Sequence, residues 1–64
     1  MMTTKEIQTA LDRFFAALNS APSNDVKKEI SYRFHAAVDI SQFTPGQRAQ
    51  YSTGMERDLI LSRE

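Results

Sequence analysis

His35 is the only histidine in the chain and there is no cysteine, so any imidazole chemistry must run through one side chain. Asp39 follows four residues later, one helical turn on, close enough to hydrogen-bond the ring and favour its charged form. Together they would form a general acid/base pair. Acyl transfer also needs a nucleophile on a strained turn and donors for an oxyanion. Neither is encoded: the two glycines, Gly46 and Gly54, stand isolated in a helical stretch, and no second carboxylate sits at a defined spacing. His35 and Asp39 read as a surface pair. The chain is expected to have no catalysis of its own.

One imidazole and one carboxylate supply two metal ligands, short of what a zinc or copper site takes. Calcium loops alternate Asp or Asn around a central Gly, and no such segment occurs. A phosphate-cradling glycine loop is missing as well. No metal and no cofactor are expected.

Gln47, Arg48 and Gln50 stand near the start of a predicted helix that opens at Thr44. Arg and Gln in such a place can make bidentate contacts with base edges in the major groove. This supports an alternative function, a small helix-turn-helix-like DNA-binding regulator. Electrostatics weigh against it. Eight Lys and Arg balance eight Asp and Glu over 64 residues, for a formal net charge of zero. Binding to phosphates draws much of its affinity from a basic footprint, and each predicted helix also nets near zero.

The elements that would position these residues are helical. Thr3 precedes Glu6 by three residues, the spacing of a capping box, with Met2 and Ile7 placed as a hydrophobic staple. Ile7, Leu11, Phe14 and Leu18 then recur at helical spacing, so a first helix is predicted over about 4–18. Asn19 to Asn24 is a turn in composition, and Pro22 prevents a helix from running through it. Ser23 or Asn24 can cap a second helix over about 25–39, carrying Val26, Ile30, Phe34, Ala37 and Val38. A short connection predicts an antiparallel hairpin of the two.

Thr44 as N-cap, Pro45 at the first helical position and Gln47 two residues on mark a third helix over about 45–61. Its pattern is less regular. Gly54 in its interior should cost about 1 kcal/mol relative to Ala. No segment alternates like a strand, and no repeat is visible. The fold expected over residues 1–64 is a single all-α domain, a small three-helix bundle.

Function is then expected from surfaces. Tyr32 and His35 fall on the outer face of the second helix, where exposed aromatics favour protein contacts. Along the third helix Tyr51, Met55 and Leu59 form one stripe, while Ile60 and Leu61 point elsewhere. A helix packed only within a monomer needs one apolar stripe, so the surplus points to a second contact. A chain this small also sits near the lower limit for folding alone. The expected function is therefore a protein–protein interaction module: an adaptor, an inhibitor or regulator, or an assembly subunit. Its partner would be a second copy in a homodimer or a larger protein.

A membrane role is not expected. The longest apolar runs, Phe14–Leu18 and Leu59–Leu61, are far too short to span a bilayer. No basic segment precedes an apolar one as in a signal peptide, which makes the cytoplasm the expected compartment.

Overall fold

A computed structural model describes residues 2–58. They form helices α1 (Thr4–Ser20), α2 (Asn24–Ala37) and α3 (Pro45–Asp58), with a 3-10 turn at Ile40–Gln42 joining α2 to α3. The described residues contain no strand, and α1 packs against both other helices. The fold is an all-α three-helix bundle.

The start of α1 is the expected capping box. Thr3 Oγ1 accepts from the Glu6 N–H at 3.1 Å, and the Thr3 N–H donates to Glu6 Oε1 at 2.7 Å. Two otherwise orphaned backbone donors are satisfied in this way. Met2, just before the cap, packs against the core that contains Ile7. Replacing Thr3 by Ala should cost about 1 kcal/mol, or roughly 4–8 °C of melting temperature in a domain this small. A melting temperature that does not move would show that this cap does not stabilise α1.

The same contact has a pH signature. The Thr3 N–H, with its hydroxyl adding to the effect, holds the Glu6 carboxyl below its usual range. That stabilisation is complete above the ordinary glutamate pKa of about 4.3. It is lost as the pH falls through the lower folded-state value. The acid-induced drop in melting temperature should therefore be shallower in Glu6→Gln than in the parent chain.

At the start of α2, Ser23 Oγ accepts from the Val26 N–H at 3.3 Å. Beyond that turn the helix departs from expectation. Val26 is 37% exposed rather than core. The residues of α1 beyond Leu18 are Asn19 and Ser20, both polar and exposed, so the end of α1 extends no apolar stripe toward α2. The helix also ends at Ala37, not at Asp39. Val38 and Asp39 take extended backbone conformations, and Asp39 caps the 3-10 turn instead of prolonging α2.

A second capping box opens α3. Thr44 Oγ1 accepts from the Gln47 N–H, and the Thr44 N–H donates to Gln47 Oε1, each at 3.1 Å. Residues 59–61, expected to continue this helix, lie outside the described residues.

Ile7, Leu11, Phe14, Phe15 and Leu18 of α1 are buried together with Phe34, Val38 and Phe43. The core is largely aromatic. Phe14 and Phe34 stack at 4.2 Å between ring centroids, and Tyr51 lies parallel to Phe34 at 6.2 Å. Phe43 meets Tyr51 edge-on at 5.4 Å, and Phe15 leans on Phe14 at 4.9 Å. Of the six Phe and Tyr residues, five join this cluster and Tyr32 does not.

Contacts between α1 and α3 advance together along both chains. Gln47 reaches Thr4 and Gln8, Gln50 reaches Gln8 and Asp12, and Gly54 lies against Phe15. The two helices therefore run parallel, side by side.

Candidate functional site

The expected His35–Asp39 pair does not form. Because α2 ends at Ala37, Asp39 is no longer one helical turn from the imidazole. Its carboxylate accepts from the Ser41 hydroxyl at 2.8 Å and the Ser41 N–H at 3.0 Å, and these bonds lower its pKa. His35 finds other partners. Its Nδ1 lies 3.2 Å from Ser31 Oγ one turn back, and its Nε2 is hydrogen-bonded to the Tyr51 hydroxyl of α3. Hydroxyls both donate and accept, so either neutral tautomer satisfies both ring nitrogens.

A serine, a histidine and a tyrosine in one hydrogen-bonded chain resemble a nucleophile with its base and an orienting group. Ser31 sits within α2, where its own backbone N–H is engaged by the helix and does not serve as an oxyanion donor. The chain Ser31–His35–Tyr51 instead ties α2 to α3 beside the aromatic cluster. Among the described residues, no group of three His, Cys, Asp or Glu is placed to hold a metal ion.

The residues assigned to protein contacts divide between inside and outside. Tyr51 and Met55 are partly buried and pack against the core, and burial raises the pKa of the Tyr51 hydroxyl. The stripe they form is thus used within the chain. Leu59, Ile60 and Leu61 lie outside the described residues. Tyr32 projects from α2 at 77% exposure. At helical spacing around it stand Lys28, Glu29 and Ala36, with Arg33 next to it in sequence, all exposed. Glu29 and Arg33 form an ion pair at 2.7 Å.

The residues of the DNA-binding alternative are also divided. Gln47 is 4% exposed. Its Oε1 accepts from Thr44, while its Nε2 donates to the Thr4 carbonyl at 3.0 Å and to Gln8 Oε1 at 3.3 Å. Gln50 is exposed but bound to α1, accepting from Gln8 Nε2 at 2.9 Å and donating to Asp12 at 3.3 Å. Arg48 is exposed. Two of the three side chains therefore belong to a ladder of amides joining α1 to α3.

Sequence reasoning missed this ladder. Its signal is faint: Gln8 and Asp12 are one turn apart on α1, and Gln47 and Gln50 one turn apart on α3. Either pair alone reads as solvated surface. No family model, curated protein or solved structure significantly matches the chain. Among the described residues, no helix is long and apolar enough to cross a membrane.

Proposed function

We propose that this protein works by binding another protein, as an adaptor, a regulator or an assembly subunit, through the outer face of α2 centred on Tyr32. One observation carries the reading. Every other Phe and Tyr is drawn into the core cluster, whereas Tyr32 stands 77% exposed. An aromatic ring left in water can bury a large apolar area on binding while few torsions are frozen. The charged side chains around it match the polar rim that surrounds such an anchor in protein interfaces.

The test compares the parent chain with Tyr32→Glu as immobilised baits for native lysate, with bound proteins quantified by mass spectrometry. At least one protein should be retained by the parent and reduced tenfold or more by the substitution, with helicity unchanged. Identical capture by the two baits would remove Tyr32 from the interface. Submicromolar, steeply salt-dependent binding to mixed duplex DNA would replace this reading with the DNA-binding one.

A further inference from the structure

The charges of α1 are used unevenly. Of its two anions, Glu6 accepts from the Thr3 N–H and Asp12 accepts from Gln8 and Gln50, so both are committed to contacts within the chain. Its two cations, Lys5 and Arg13, form no ion pair with any described residue; the ion pairs there are Glu29–Arg33 and Arg57–Asp58. Both cations line the same shallow groove, of about 490 Å³, together with Met2, Glu6, Thr9 and Ala10. Met2 and Ala10 are partly buried and pack against the hydrophobic core. The groove thus combines two partly buried apolar side chains, the short Thr9, the ionised Glu6 carboxylate and two cations that no described carboxylate pairs, which leaves its lining net positive.

We infer that this groove docks an acidic amphipathic helix of a partner protein. The chemistry follows from the lining. Apolar side chains of the incoming helix would cover Met2 and Ala10 and the aliphatic stems of Lys5 and Arg13. Thr9 and Ala10 let a second helix approach α1 closely, because neither carries a long side chain. Lys5 and Arg13 are eight residues apart, about 12 Å along the helix axis. Two carboxylates seven or eight residues apart on a helical partner span the same distance, which sets register as well as sign. Helix-in-groove recognition uses anchors at such spacings. Opposite charges at the rim raise the association rate and make it sensitive to salt.

The inference rests on the reading that this chain acts by binding proteins, but it concerns a different surface, and the two fail separately. The probe is a displayed library of random 16-residue peptides, selected against the full chain. Selected peptides should carry Asp or Glu seven to eight residues apart around apolar positions. Their affinity should fall tenfold or more in the double variant Lys5→Glu/Arg13→Glu. The control Lys27→Glu/Arg57→Glu makes the same change in net charge elsewhere and should change affinity less than twofold. Thr9→Trp, which fills the groove from an exposed position, should also weaken binding while the circular dichroism stays helical. Tyr32→Glu should leave these peptides bound even if it abolishes capture of a lysate partner. Failure to enrich any peptide would overturn the inference, and so would peptides lacking acidic residues. Equal losses in the groove and control variants would overturn it too. Binding to phosphatidylserine vesicles that depends on Lys5 and Arg13, without peptide enrichment, would assign the groove to a lipid surface instead.

Discussion

Phe34→Ala should leave the chain largely unfolded at room temperature. Phe34 is the buried residue of α2, 8% exposed. It is also the hub of the aromatic cluster: it stacks on Phe14 at 4.2 Å and lies 6.2 Å from Tyr51 and 6.5 Å from Phe43. Truncating a buried phenylalanine costs about 3–5 kcal/mol through lost transfer energy and the cavity left behind. A domain of this length has roughly 3–10 kcal/mol in total. The two ranges overlap, so one substitution can remove most of the stability. Loss of the helical circular dichroism signal, with Phe34→Leu retaining it, is the expected result. A double-mutant cycle of Phe34→Leu with Phe14→Leu should give a coupling of about 0.5–1.5 kcal/mol from the stacked rings. A near-native melting temperature for Phe34→Ala would mean that α2 is held mainly by other contacts.

Gly54→Ala should destabilise, although alanine is the better helix former by about 1 kcal/mol. A Cβ built on Gly54 would lie 2.4 Å from Cζ of Phe15 and 2.5 Å from its Cε1. Phe15 is 8% exposed and leans on Phe14, so displacing its ring disturbs the aromatic cluster. Overpacking of this kind costs about 1–3 kcal/mol. The clash should outweigh the propensity gain, for a net loss of up to about 2 kcal/mol. Gly46 is the internal control, since nothing lies within 4 Å of a Cβ there. Gly46→Ala should be neutral or stabilising by a few tenths of a kcal/mol. In a Phe15→Leu background the penalty of Gly54→Ala should shrink, because the ring atoms in the way are gone. If Gly54→Ala raised the melting temperature as much as Gly46→Ala, α1 and α3 would not be in close approach at that point.

Much of the architecture is local and therefore legible in the residues. Both capping boxes, Thr3 with Glu6 and Thr44 with Gln47, are pairs three residues apart whose hydrogen bonds close within a single turn. The stripe from Ile7 to Leu18 marks the buried face of α1 through its period alone. Pro22 and the polar residues around it separate α1 from α2. These features depend on neighbours in sequence, and such neighbours are already close in the unfolded chain.

What the sequence left open concerns residues that meet across helices. The partners of His35 turned on where α2 stops: ending at Ala37 moves Asp39 to the 3-10 turn and leaves the imidazole to Ser31 and Tyr51. Gln47 reads as a solvent-facing base reader until α3 is laid parallel to α1, when its amide is buried against Thr4 and Gln8. Gly54 reads as a defect until the ring of Phe15 is seen to occupy the space of its missing side chain. Val26 fits the apolar period of α2 but stays outside the buried core, and α1 ends in exposed polar residues. Spacing along a helix determines which side chains share a face. Which face is covered, and by what, is set by how the helices end, cross and align, and those relations exist only once the chain has packed.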